Sequence, residues 1–237
     1  LPLYETVFNF SLSLFVTSLY KYLPEQYVDP LLREGVILFR TLSHFRDYED
    51  AQVRGDEFEG TRLYRPANGL EPTIVNTQEK VLIPHAFESS ANEDDIFVFC
   101  LSTILSQELA AQFNTNVCVE IQNLSLFISK IRGALSRRPS IKSKQLVHGE
   151  VNYYAPHEPP VVDWALPERI TMSKLDPFRP QHEYRIAFCV NGAFDFGNTR
   201  QQLVAPGTPR PKRITAYPER QFKLGSISKI CRVHRFG

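Results

Sequence analysis

The chain has 237 residues, 43% hydrophobic and 22% charged, which is ordinary globular usage and excludes a disordered or fibrous protein. A formal net charge of +1 excludes long-range attraction to nucleic acid or anionic membrane as an organising force, leaving only local patches. The four cysteines, at 100, 118, 189 and 231, form no CxxC pair, and three sit in apolar strand-like runs. They predict buried free thiols in a reducing cytoplasm rather than a disulfide scaffold.

The apolar run Val7–Leu19 is too short to span a bilayer, contains Asn9 and several serines, and has no basic flank before it. The expectation is one soluble domain over residues 1–237, with no membrane partner and with 1–18 as an N-terminal extension; the opening Leu1 leaves any upstream signal open. Leu19–Tyr22 reads as a strand halted at Leu23-Pro24. Glu25–Glu34 predicts a helix with Tyr27, Val28, Leu31 and Leu32 at helical spacing, Asp29 capping before Pro30, and Gly35 as its stop. Val36–Thr41 predicts a second strand, and the polar, acidic, glycine-punctuated stretch Asp47–Thr61 a surface loop. Ile74–Phe87 carries a weak edge-strand signal. Ile96–Leu101 is a continuous β-prone run, as in a strand buried on both faces. Ser106–Phe113 predicts a short helix, Val117–Ile121 a strand, and Leu124–Leu135 a helix with an apolar stripe. Val147–Tyr154 and Tyr184–Val190 predict strands on either side of a proline-rich connection at Pro156–Pro160. Residues 200–220 predict an irregular, basic, proline-rich arm, and Ile227–Val233 a last strand. The sum is α+β with a mainly β core.

The chemistry concentrates in a few places. In an alternating strand Glu183 and Arg185 share one face, while Tyr184 and Ile186 share the other. The pair reads either as a weak ion pair on a solvent-facing strand or as a carboxylate that steadies a cation or a hydroxyl, with Arg185 positioning it or meeting an anion. Tyr20, Lys21 and Tyr22 read either as packing around a snorkelling lysine or as a ring-stacking, phosphate-contacting set suited to a nucleotide, and Arg40 shares that ambiguity. Ser102 and Thr103 stand where a buried strand gives way to a helix, as helix caps or as hydroxyls that hold a ribose. The acids Asp47, Glu49, Asp50, Asp56, Glu57 and Glu59 invite a divalent cation, but the calcium-loop spacing is missing and Arg46, Arg54 and Arg62 intersperse opposite charge, which favours a solvated or arginine-paired loop. Zinc, Walker, dinucleotide and nucleophile-elbow signatures are absent, so no metal is expected.

The order of these segments resembles that of an uncharacterised, abortive-infection-like family of bacterial and phage proteins. The resemblance rests on the opening Leu19–Tyr22 strand, Val36–Phe45 followed by Arg46–Asp50, Phe99-Cys100-Leu101-Ser102, Val117–Ile121, Val151-Asn152-Tyr153, and His182-Glu183-Tyr184-Arg185-Ile186. That order is in turn similar to the ADP-ribosyltransferase fold, a split, mainly antiparallel β-sheet clasping NAD, with a few peripheral helices. Carried onto this chain, the resemblance implies Tyr20 or Tyr22 on the first strand, Ser102 on the middle strand, and Glu183 as the catalytic carboxylate on the last. Gln181, two residues before Glu183, completes a Gln-x-Glu pattern where Glu-x-Glu also occurs, and Ser102-Thr103 is a shortened Ser-Thr-Ser. The implied activity is transfer of ADP-ribose from NAD to a protein or nucleic-acid acceptor, in toxin or phage-defence biology with an antitoxin partner. Two alternatives stand beside it: a non-catalytic nucleotide- or partner-binding module on the same fold, and a metal-dependent nuclease using the Asp47–Glu59 acids.

Overall fold

In the computed structural model, which describes residues 18–47, 56–139, 141, 145–205, 207–208 and 216–237, the first strand, β1, spans Leu19–Tyr22 as predicted. It is followed by β2 (Val36–Thr41), α1 (Leu42–Arg46), β3 (Thr61–Tyr64), β4 (Ala86–Ala91), β5 (Ile96–Ser102), α2 (Gln107–Gln112), β6 (Val117–Ile121) and α3 (Leu124–Ser136). The remainder comprises β7 (Val147–Glu150), β8 (Asn152–Tyr154), α4 (Pro167–Thr171), β9 (Ser173–Leu175), β10 (Glu183–Cys189), β11 (Thr199–Val204), β12 (Glu219–Lys223) and β13 (Cys231–Arg235). The architecture is α+β, dominated by antiparallel sheet, with few and mostly short helices. No described helix is long and apolar enough to cross a membrane. All four cysteines are free thiols.

Strand β5 organises the larger sheet. Along one edge it pairs antiparallel with β10, from Glu183↔Ser102 to Cys189↔Ile96. Its other edge is shared: β2 pairs at Arg40↔Val98 and Thr41↔Phe97, and β1 at Tyr20↔Ser102. The sheet therefore forks, one limb continuing as β2–β12 and the other as β1–β6–β13. Between the limbs the Lys21 ammonium donates to the Cys100 carbonyl at 2.8 Å and lies 4.4 Å from the centre of the Phe99 ring. A side chain thus supplies a hydrogen bond that a neighbouring strand would otherwise give, which suits a buried backbone acceptor.

One face of the fork is the apolar core. Phe39 stands at its centre, with its ring 5.7 Å from Phe99, 5.0 Å from Phe188 and 5.8 Å from Phe222. Helix α3 closes this face through Phe127, Ile128, Ile131 and Leu135, the stripe its spacing predicts. Asn123 caps the helix by accepting the Leu126 N–H. A smaller sheet, β11–β4–β3, and a parallel pair, β8–β9, lie outside the fork.

Several expectations are corrected. Glu25–Glu34 is helical throughout, as predicted, but its type changes along its length, from a 3₁₀ turn at Glu25–Tyr27 to a wide π-type turn at Pro30–Glu34, and Asp29 makes no side-chain cap. Pro30 has no N–H to give the helical ladder, and the wider turn begins at that residue. Gly35 ends the segment in the left-handed region, where a Cβ would collide with the Gly225 carbonyl. The Ile74–Phe87 stretch carries only isolated bridges, Leu70↔Ile83 and Thr73↔Lys80, and the regular strand begins at Ala86. Val147–Tyr154 is two strands, because on either side of Val151 the chain changes partner from β10 to β9. Within 200–220, the ends belong to β11 and β12, while residues 206 and 209–215 lie outside the described residues. The last strand begins at Cys231, after a 3₁₀ turn at Ser228–Ile230.

Candidate functional site

The second face of the fork carries charge, and it is built by register. Tyr20, Ser102 and Glu183 occupy directly opposed positions on β1, β5 and β10, and Cys100 opposes Arg185 one step along the same face. Both faces of β10 are buried throughout. Glu183 and Arg185 therefore share a face as the alternation requires, but they are 5% and 1% exposed, which corrects the picture of a solvent-facing pair.

A chain of buried charges runs under this face. Arg185 Nε donates to Glu183 Oε1 at 2.6 Å, and its two terminal nitrogens meet the two oxygens of Glu59 at 2.6 and 2.7 Å. Arg185 also donates to the Thr171 carbonyl at 2.6 Å, at the end of α4, where a helix leaves carbonyls without intrahelical donors. Lys174 on β9 supplies the second cation, with its ammonium 3.1 Å from Glu183 Oε2 and 2.9 Å from Gln181 Oε1. Glu59 arrives on a turn set by its own sequence: Asp56 accepts the Phe58 N–H through its side chain, and Gly60 follows with φ of 75°.

The electrostatics follow from burial and pairing. Burial alone would push the Glu183 carboxyl upward; Arg185 and Lys174 outweigh it and hold the group well below the usual carboxylate range. Burial would lower the Arg185 pKa, yet Glu183 and Glu59 raise it well above its ordinary value. The Cys100 thiol is pushed up by burial and by the Glu183 carboxylate, which favours its neutral form. Asp56, beyond Glu59, is pushed up to about 6 by burial and by Glu59.

The hollow above these groups has a volume of about 140 Å³ and is lined by Tyr20, Lys21, Tyr22, Ser102, Gln181, Glu183 and Arg185, seven of the nine residues singled out from the sequence. Arg40 is not among them. It pairs with Glu219 at 3.4 Å and lines an adjoining hollow of about 390 Å³ that shares Lys21, Tyr22, Phe45 and Cys100 with the first. The first hollow alone is smaller than the ~300–1,000 Å³ typical of ligand sites, so a nucleotide-sized ligand needs both.

Thr103 does not line either hollow; with Ser102 it holds the chain that presents Gln181 and Glu183. Ser102 Oγ donates to the Gln181 carbonyl at 2.9 Å, and the Thr103 N–H donates to the His182 carbonyl at 2.8 Å. His182 has φ of 44°, a left-handed conformation uncommon for a residue with a side chain, and both strand-end hydroxyls lie at this bend. Tyr22 is also partly committed to structure. Its hydroxyl accepts the Ser106 N–H at 2.7 Å and donates to the Ile104 carbonyl at 2.9 Å, and burial pushes its pKa up to about 12.

Sequence reasoning did not place Lys174, Glu59, Cys100, Phe45 or Phe113 at this site. Glu59 was visible only as one acid among several, and Lys174 had no motif around it. Of the remaining acids in that stretch, Asp47 pairs with Arg46 and accepts from Tyr217, and Glu49 and Asp50 lie outside the described residues. Among the described residues no group of three or more His, Cys, Asp or Glu side chains is arranged to hold a metal ion. In comparisons with family models, curated proteins and solved structures, no match was found.

Proposed function

We propose that the chain is an ADP-ribosyltransferase-like protein that binds NAD across the fork, and that Glu183 is its catalytic carboxylate. The observation that carries this reading is the placement of Tyr20, Ser102 and Glu183 side by side on three neighbouring strands at the point where the sheet divides. In the reaction the bond between the ribose carbon and nicotinamide breaks, its electron pair leaves with nicotinamide, and an acceptor nucleophile forms the new bond at that carbon and releases its proton. An ionised, fixed carboxylate stabilises the positive charge that develops in between, most strongly where water is excluded. Glu183 meets both requirements, since it is 5% exposed and held in its charged form. The aromatic rings of Tyr20, Phe45 and Phe113 suit one end of the ligand, and Lys21, with Arg40 in the adjoining hollow, suits its phosphates. A cytoplasmic effector acting on a protein or nucleic-acid acceptor, held in check by an antitoxin, is the biology this reading implies.

A second reading has its own observation. Both oxygens of Glu183 already accept from cations, one from Arg185 and one from Lys174, which offsets the charge it can offer a transition state. On that ground a non-catalytic nucleotide-binding module is the alternative. One experiment separates the two: NAD is titrated against the purified chain while thermal stability and nicotinamide release are followed together. Release that Glu183→Gln abolishes, with NAD binding retained, supports the enzyme; a thermal shift without release supports the module. Neither a shift nor release would sink both.

A further inference from the structure

Lys174 lies nine residues before Glu183 on a different strand, with its side chain 5% exposed, and it touches three points of the segment leading into β10. Its ammonium lies 4.5 Å from the centre of the Phe178 ring, 2.9 Å from Gln181 Oε1 and 3.1 Å from Glu183 Oε2. An ammonium has donors only, so the Gln181 atom it meets must be the amide oxygen, which fixes the orientation of that amide. Gln181 and Glu183 flank His182, the residue in the left-handed conformation, so Lys174 ties together the two side chains on either side of the bend.

We infer that Lys174 is a positioning residue that locks Gln181 and Glu183 into one unit, fixing the amide and the carboxylate relative to the ligand bound between the limbs of the fork. The inference rests on the reading of Glu183 as the reacting carboxylate, but the linkage itself is observable without turnover. The groups facing Glu183 are Arg185 on its own strand, Lys174 on β9, Cys100 on β5 and Tyr153 on β8, whose hydroxyl accepts the Glu183 N–H at 2.8 Å; Glu59 and Asp56 lie beyond Arg185. Among these Lys174 and Arg185 are the cations, and Lys174 is the one that also reaches Gln181.

The test uses two variants. Lys174→Met removes the charge, and Lys174→Arg keeps it while changing the geometry of the donor. In Lys174→Met, kcat for nicotinamide release is expected to fall about 10–100-fold, the range seen when a supporting contact around a site is lost, with KM little changed. The acid limb of its kcat profile moves to higher pH, because Glu183 has lost one of the two cations that favour its charged form. In Lys174→Arg the acid limb stays in place while kcat falls. Side-chain NMR supplies the readout that needs no activity. The Glu183 carboxyl carbon titrates at higher pH in Lys174→Met than in wild type, and the Gln181 amide signals shift in both variants.

Unchanged kcat and unchanged Gln181 signals in Lys174→Arg would overturn the inference, as would an unmoved Glu183 titration in Lys174→Met. If Lys174→Met does not fold, Lys174→Arg decides on kcat and the Gln181 signals. A wild-type chain that releases no nicotinamide, but whose Gln181 and Glu183 signals respond as described, defeats the catalytic reading and leaves the positioning role standing.

Discussion

Strand β10 has two buried faces that solve the same problem in opposite ways. Tyr184, Ile186 and Phe188 look toward α3 and pack into an aromatic and aliphatic core. Glu183 and Arg185, at the start of the strand, look the other way, into a row of alternating charges ending at Glu59 and Lys174, before Ala187 and Cys189 on that face join a smaller apolar cluster. Burial of apolar area is non-directional, so the first face tolerates changes that keep volume. The second depends on named partners, because a buried charge is acceptable only while it is paired and hydrogen-bonded. The difference teaches where to look for function: a protein seeking stability alone would do as well with apolar residues on both faces, since buried ion pairs often contribute little net stability over hydrophobic replacements.

The sharpest way to break the contrast is to damage each face in turn. Phe188→Ala is expected to cost about 3–5 kcal/mol in urea unfolding through the cavity it opens, while the NAD-induced thermal shift of the surviving folded protein persists. Arg185→Met is expected to destabilise by about 3–5 kcal/mol as well, because Glu59 and Glu183 are left buried without their guanidinium, and here the NAD response disappears. Equal losses of stability with opposite effects on binding would establish the division of labour; loss of the NAD response in both variants would erase it.

A smaller effect comes from Asp56, whose carboxyl rises from 3.8 to about 6 on folding. A raised carboxyl binds its proton more tightly in the folded state. Its contribution is therefore full below about pH 4 and is lost as pH rises from about 4 to 6. Asp56→Asn keeps an oxygen for the Phe58 N–H and removes that decline, so chemical denaturation should show the variant more stable by about 1–3 kcal/mol near neutrality. Glu183 has the opposite sign: its lowered pKa gives stability that is lost as pH falls below the ordinary carboxylate range. The smallest effect expected is that of Ser102→Ala, which removes the hydroxyl on the Gln181 carbonyl and should cost about 1 kcal/mol. If nicotinamide release falls much further than that loss suggests, Ser102 also contacts the ligand.

What the sequence disclosed depended on whether a residue's role was local. Strands β1, β2, β5, β6 and β10 and helix α3 carry their pattern in their own side chains, so periodicity found them. Strand β4, Ala-Phe-Glu-Ser-Ser-Ala, has no such pattern and is a strand because β3 and β11 pair with it on either side. Strands β9 and β12 are likewise defined by a distant partner. The site divides in the same manner. Glu183 and Arg185 were legible because alternation in one strand puts them together. Glu59 was not, because its partner Arg185 is 126 residues away and nothing in an acidic stretch says which carboxylate turns inward. Lys174 was hidden for the same reason, since a lysine is ordinarily an exposed residue and only the fold shows this one enclosed.

The contact between Lys21 and the Cys100 carbonyl gives the fork a mechanical meaning. At that point β5 is joined to its neighbour by one ammonium rather than by a ladder rung, so the limbs can spread there while every β5–β10 backbone bond stays intact. An anion that draws Lys21 toward itself must loosen this clasp, and one that bridges Lys21 and Arg40 must splint it. Occupancy should then be written into the amide exchange of Cys100, whose N–H lies on the same edge of β5 as its carbonyl, ahead of any change at the outer strands.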